Sequence, residues 1–441
     1  MNLLERLRSV VGTSDGGSAA HVRGAGSTDG RDPTSMDPAI DDATDMLGGE
    51  WRGSSGQRYL VIDRSYSPGH RHGYVAVADS APGQDGGWPV LSLLEPSITK
   101  ARLLFIDLET TGLAGGAGTY AFLVGCGWFD NATFRVRQFL LPSYGAERGL
   151  LGDVADAIAA AGTLVTYNGK TFDLPLLETR FLFHRMTAPF PDMPHVDLLH
   201  TARRLWRAVE GNYLDDGSAR VKCRLGALEQ SVLGHFREHD VPGYGIPSRY
   251  FQYVRSGDSR PLAAVLEHNR LDLLSLALLT ARAAQLLEDG AAAARTPREA
   301  YGLGSLYQRA GLLDHARACF ARASVMSESD PCTSAEALRA CAVLARRARQ
   351  HDEAVGAWRR ILELRECEAR LIHEASEALA IHHEHRDQNL DLARDLARQS
   401  LQFARTASRA QAVHHRLARL DRKLAAPRRD RACAAYSALL F

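Results

Sequence analysis

Between Leu103 and Leu113 the chain reads Leu-Leu-Phe-Ile-Asp-Leu-Glu-Thr-Thr-Gly-Leu, an apolar run that ends in a turn. Read as a strand, it places Asp107 and Glu109 on one face, because side chains two positions apart point the same way. Two acids held side by side repel unless a cation lies between them, so the pair suggests a divalent-metal site. A solvated rim at a strand end would present the same Asp-x-Glu pattern, and the remaining acids decide between the two.

The rest of the chain sets the bounds. Its 441 residues leave room for about two or three domains. The 45 % apolar content suffices for buried cores, yet no stretch is long enough to cross a membrane. Met1 to Gly12 is amphipathic, but Glu5, Arg6 and Arg8 interrupt any signal-peptide core. The seven cysteines are scattered without a Cys-x-x-Cys pair, which argues against a disulfide framework or a zinc knuckle and for a reducing cytoplasm. Net charge is near zero, but nine basic residues between Arg405 and Arg431 face only Asp421 and Asp430. That end alone has the balance to attract a polyanion, unless it is simply a solvated helix face.

Composition and periodicity divide the chain. Residues 1–50 are dominated by Gly, Ser, Asp, Ala and Thr from about residue 13, too polar to offset the entropy of ordering, and read as disordered. Residues 51–98 alternate short apolar runs with turn signals and read as a small β-rich accessory element. Residues 99–290 carry an α/β pattern, with strands predicted at 103–108, 119–128, 133–141 and 163–167 and helices at about 146–160 and 172–185. Three strands, a helix, then a strand beside the first describe a mixed sheet flanked by helices. Ala114-Gly-Gly-Ala-Gly118 lacks the ending of a phosphate-cradling loop and reads as a hairpin turn.

Residues 296–426 are wholly helical and repeat: three segments align on Ala316, Ala354 and Ala393, at spacings of 38 and 39 residues. Each reads as the second helix of a hairpin, with Tyr301, Tyr307, Phe320 and Trp358 filling the seam. These units resemble degenerate tetratricopeptide repeats, which stack into a short solenoid able to bind a protein partner on its concave face. A basic tail, 427–441, follows.

Two further clusters bear on the acid pair. Tyr167-Asn-Gly-Lys-Thr-Phe-Asp173 sits where a strand ends and a helix begins, so Asp173 can turn back toward Asp107, or act as a helix cap. Leu266-Glu-His-Asn-Arg-Leu-Asp272 lies inside a strongly apolar helix and sets His268 and Asp272 one turn apart on one face. A self-satisfied His–Asp pair is the alternative. Together Asp107, Glu109, Asp173 and Asp272 could hold two divalent ions about 4 Å apart, as in phosphodiester hydrolysis, with His268 accepting the proton of the attacking water. Oxygen-only ligands point to Mg²⁺ or Mn²⁺.

In this order the motifs resemble those of the DEDD superfamily of 3′–5′ exonucleases, on an RNase H-like fold. The narrower resemblance is to the YprB-like group of ribonuclease H-like proteins. It is supported by Pro194-His-Val-Asp-Leu-Leu-His200 with Arg203 to Trp206, Cys223-Arg-Leu-Gly-Ala-Leu-Glu229, Asp240-Val-Pro-Gly243, Ile246-Pro247 and Tyr250-Phe251. It covers about residues 100 to 287. One departure stands out: His268 precedes Asp272 by four positions, where the histidine branch of that superfamily has five and the tyrosine branch has four.

The resemblance implies that Thr110, Thr111 and Leu113 hold the terminal nucleotide at the 3′ end of single-stranded DNA or RNA, and that Asn168 and Phe172 line the channel. Thr110 and Thr111 would serve equally to close the turn. Lys170, Arg180, Arg203, Arg204 and Arg207 are candidate contacts to the nucleic-acid backbone. His195, Asp197 and His200 have metal-like spacing, although Asp197 also reads as a helix cap. The competing reading is a binding or scaffold protein with little or no catalysis, which recruits its partner through the helical repeats.

Overall fold

The computed structural model describes residues 43–44, 46–83, 88–98, 102–112, 118–206, 223–326, 330–365 and 367–425. The expectations for most of 1–50, for the 427–441 tail, and for Leu113, the Gly-rich turn after it and Arg207 therefore lie outside the described residues.

The centre of the molecule is a seven-stranded mixed sheet in the order β1-β2-β7-β6-β5-β8-β9. Its strands are β1 (Glu50–Arg52), β2 (Tyr59–Tyr66), β5 (Leu103–Thr110), β6 (Ala121–Asp130), β7 (Thr133–Leu140), β8 (Thr163–Thr166) and β9 (His195–Asp197). β5 is central: it pairs antiparallel with β6 and parallel with β8. Leu103 to Ile106 are buried, as a strand covered on both faces requires. Helices pack on both sides, among them α1 (Glu147–Ala159), α2 (Asp173–Phe183), α3 (Leu198–Leu205), α4 (Leu225–Leu228), α5 (Ile246–Ser256) and α6 (Arg260–Asp289). One core joins α1, α2 and α5 to one face of the sheet; the other joins α3 and the apolar length of α6 to the opposite face. This is the mixed sheet with flanking helices expected of an RNase H-like fold.

Residues 51–98 do not stand apart as an accessory sheet. β2 pairs along its length with β7, from Leu60 against Leu140 to Tyr66 against Phe134, so this segment extends the central sheet. Leu60, Val61 and Ile62 are buried without alternation, which a strand does once covered on both faces. Among the described residues of this segment, only the two-residue strands β3 (Arg71–His72) and β4 (Val75–Ala76) form a separate ribbon. The end of the segment read as disordered is also packed, with Ala43 and Leu47 buried.

After α6 the described residues form helices and short connections. Three hairpins follow one another: α7 (Pro297–Arg309) with α8 (Leu313–Val325), α9 (Pro331–Arg347) with α10 (His351–Glu363), and α11 (Ala369–His385) with α12 (Leu390–Gln402). A further helix, α13 (Ala407–Ala425), follows at the end of the described residues. Ala316, Ala354 and Ala393 are buried on the second helix of each hairpin, where a small side chain lets the pair approach. The basic stretch is partly committed: Arg416, Arg419 and Lys423 of α13 turn in to the fully buried Glu384. No helix among the described residues is long and apolar enough to cross a membrane.

Candidate active site

Asp107 and Glu109 leave the same face of β5 beside a register shift at Glu109/Thr110, where the strand bends out of its pairing with β6. Opposite Asp107 stands Gly125, and the reason is steric. A Cβ there would lie 2.3 Å from Oδ1 of Asn269, so glycine lets α6 approach the sheet. Across that contact the Asn269 amide donates to the Asp107 carboxylate at 2.8 Å and to its carbonyl at 3.2 Å. Gln138 donates in turn to Asn269 Oδ1 at 2.8 Å, which fixes the amide's orientation.

Asp173 is the first residue of α2, directly after the N-cap position Phe172. With Asp107, Glu109, Thr110, Asn168 and Phe172 it lines a cleft of about 500 Å³ whose far wall includes Gly243 and Pro247. Asn168 takes the left-handed conformation, φ 68°, that the turn after β8 requires. Asp197 holds this turn by accepting from the Asn168 and Lys170 backbones at 2.8 and 3.2 Å, and it also caps α3 through Leu199 N–H. The His195–Asp197–His200 spacing is thereby explained by turn and cap, with His195 bonded to Thr166 at 2.8 Å.

Electrostatics join the acids more tightly than the cleft does. Burial, then Asp272, Glu109 and Asp173, drive the Asp107 carboxyl well above its ordinary range. Burial, then Asp272, Asp173 and Asp240, do the same to Glu109. Asp173 is pushed up to about 7 by burial and the nearby Asp197. Asp272 lies outside the cleft lining, yet its charge acts on both β5 acids; its own carboxyl is raised by burial, opposed by Arg237 and His268. Four acids crowded beyond what their neighbours neutralise are the donor set that hard divalent cations favour.

Three residues without a role in the sequence reading complete the arrangement. Arg237, nearly buried, reaches Asp272 at 2.5 Å, Glu229 at 2.7 Å and Asp240 at 3.4 Å. Asp240 meets His268 Nδ1 at 2.7 Å, while Nε2 of that ring stands 3.5 Å from Asp272. Glu229 also bonds His72 and Ser275. Among the described residues His72, Glu229 and His235 have the spacing of a metal set. The two imidazoles stack at 3.8 Å, and Glu229 is held by His72, Ser275 and Arg237, so it is Glu229 that ties this cluster to Arg237. Glu229 and Asp240 both fall in motifs quoted above; Arg237 and Asn269 carried no spacing signal of their own.

The remaining candidates divide. Phe172 is 56 % exposed at the cleft edge, free to stack on a base. Thr111 accepts from Tyr120 N–H at 3.0 Å and closes the β5–β6 turn, and Thr110 bonds the Gly112 carbonyl. Lys170 is outside the cleft lining, with its ammonium 3.5 Å from Glu95. Arg180 is fully buried, donates to Glu147 at 2.7 Å and lies over the Tyr120 ring, so it is no surface contact.

A family profile described as the RNase_H superfamily matches residues 104–284, a span that takes in all four acids and His268. The chain is also similar to an uncharacterised protein of Bacillus subtilis (strain 168), YprB. The two are 32 % identical over 372 residues, which is 82 % of this chain and 86 % of that one.

Proposed function

The chain belongs to the family of Bacillus subtilis YprB and carries an RNase_H-superfamily domain, and on that premise we propose that it is a metal-dependent 3′–5′ exonuclease acting on single-stranded nucleic acid. The observation that carries the reading is that Asp107, Glu109 and Asp173 line one cleft, with the charge of Asp272 acting on both β5 acids. Those acids would hold two Mg²⁺ or Mn²⁺ ions, which when bound supply the Lewis acidity that activates water and offsets charge on the scissile phosphate.

The chain's own residues do the rest. Asn269 keeps the Asp107 carboxylate in one orientation. Asp240 takes Nδ1 of His268, leaving Nε2 directed at the acid cluster to accept a proton, an orientation that compensates for the four-position spacing. Phe172 offers the terminal base a stacking surface, and Asn168 borders the same cleft. The helical hairpins we read as tetratricopeptide-like repeats with a concave face for a protein partner, although their 38- and 39-residue period exceeds the usual 34 or so.

The contact of Arg237 with Asp272 favours a second reading, in which an internal cation takes the place of a metal and the protein binds nucleic acid without cutting it. Degradation of 5′-labelled single-stranded DNA and RNA with Mg²⁺, Mn²⁺ or EDTA separates the two. A metal-dependent ladder shortening from the 3′ end, absent in Asp107→Asn, supports the exonuclease. Binding without cleavage in both proteins supports the second reading.

A further inference from the structure

The α/β domain and the first helix of the helical region meet in a tight contact. A Cβ on Gly302 of α7 would lie 2.1 Å from the Arg204 carbonyl at the end of α3, so glycine here lets the two helices touch. Trp206 Nε1 donates to Glu299 at 3.0 Å, and Glu299 also takes Arg282 of α6 at 2.7 Å, locking α7 to the α/β domain. Gly302, Leu306 and Arg309 are four and seven positions apart and so share one face of α7. Beside this contact opens a pocket of about 400 Å³ whose lining includes Lys170, His195, His200, Arg204, Leu306 and Arg309.

Its charge is unbalanced. Burial, then the like charge of Arg309, depresses the Arg204 guanidinium, whose hydrogen bond among the described residues is a 3.4 Å contact to the His200 carbonyl. Lys170 is the exception, with Glu95 at 3.5 Å. Asp197, the acid in the lining, already accepts from the Asn168, Lys170 and Leu199 backbones. Two guanidiniums lining one pocket beside this interface, neither in a salt bridge with a carboxylate among the described residues, form a seat for an anion.

The pocket is also related to the candidate active site through shared wall residues. A middle cavity of about 430 Å³ shares Pro175 with the catalytic cleft, and it shares Lys170 and His195 with this pocket. The three run from the acids, past the exposed Phe172 and the first turn of α2, to the junction with α7. Glu95 and Glu178 border the middle stretch, so cationic grip is concentrated at the far end.

We propose that Arg204 of the α/β domain and Arg309 of the first repeat helix form a shared subsite for a backbone phosphate of single-stranded nucleic acid, upstream of the terminus held in the cleft. This rests on the proposed function and deepens it: the helical region becomes part of the substrate track. The two arginines act by binding and take no part in bond breaking.

The test is equilibrium binding of labelled single strands of about 4 and about 16 nucleotides. It uses full-length protein in EDTA, with Asp107→Asn present throughout so that cleavage cannot interfere. Without the subsite change, affinity should rise steeply with length. In Arg204→Gln/Arg309→Gln that gain should fall about tenfold at low salt, and the slope of log Kd against log salt should drop by about 0.7 for one lost phosphate contact. Arg204→Lys/Arg309→Lys should restore part of it, and a thermal melt checks that each variant folds. Unchanged length dependence in a folded Gln variant overturns the subsite while leaving the exonuclease reading intact. Competition by inorganic phosphate as strong as by the long strand also overturns it, since the pocket would then serve a free anion. If the protein lacking only Asp107 binds neither strand, and wild type cuts neither, the proposed function itself fails.

Discussion

Two acids withdrawn from solvent to different degrees, the half-buried Asp173 at the cleft and the buried Glu384 in the helical region, show opposite solutions to one problem. Burial raises both carboxyls. At Glu384 the hydrogen bonds and charges of Arg419 and Lys423 overcome burial and hold the group at about 2. At Asp173 no such cation intervenes, and burial with Asp197 leaves it at about 7. Glu384 is packed with its own counter-charge, whereas Asp173 has none among the causes of its shift, which on the proposed reading is the place a bound cation would fill.

Removing the acids should have the largest effect. Asp107→Asn or Asp173→Asn should lower cleavage by about a thousandfold or more, the equivalent of several kcal/mol of lost charge stabilisation. Circular dichroism and melting should show the fold intact. Metal-dependent activity within tenfold of wild type would break the contrast at its functional end.

A smaller loss should follow from Asn269→Ala, which frees the Asp107 carboxylate from its 2.8 Å donor. Outer-shell partners of this kind are worth about 10- to 100-fold in affinity or activity. Titration of Mn²⁺ into wild type and variant reads it directly, and equal affinity would assign Asn269 to packing alone.

The pH dependence sharpens the comparison because the two sites have opposite signs. Asp173 binds its proton up to about 7 when folded against 3.8 ordinarily, so metal-free protein loses stability as pH rises through that window. Divalent cation should restore it. The contribution of Glu384 is fully present above its ordinary value of 4.5 and is lost only as pH falls toward 2. Hydrogen exchange followed from pH 5 to 7 without metal should show weakening protection around β5 and α2, with none around α11 and α13. Parallel changes in both regions would remove the distinction.

The smallest effect is reserved for Glu384→Gln. Three cationic side chains lose their anion, and the amide keeps only part of the hydrogen bonding, so urea unfolding should report a cost of about 1–3 kcal/mol. Cleavage of a short strand should be unaffected.

Much of this arrangement was legible in the residues, for physical reasons. Period-two and period-3.6 patterns reveal which stretches are strands and helices, so β5, α1, α2 and the repeated hairpins appear near their expected bounds. Acids standing in apolar surroundings announce themselves, as Asp107 and Asp272 do. Pairing partners are less visible, because strand order depends on contacts far apart in the chain. β2 therefore read as an accessory element although it pairs with β7. Charges whose partners lie in distant segments were equally hidden: Arg180 looks like a surface cation in sequence but is bound to Glu147, and Arg237 reaches Asp272 from 35 positions away.

The most direct test of the central claim is calorimetric titration of Mn²⁺ into full-length wild type and Asp107→Asn at neutral pH. Two ions bound by wild type, with at least one lost in the folded variant, is the result this account predicts. No binding by wild type, or identical binding by the variant, would contradict it, for the crowded acids would then have no cation to await.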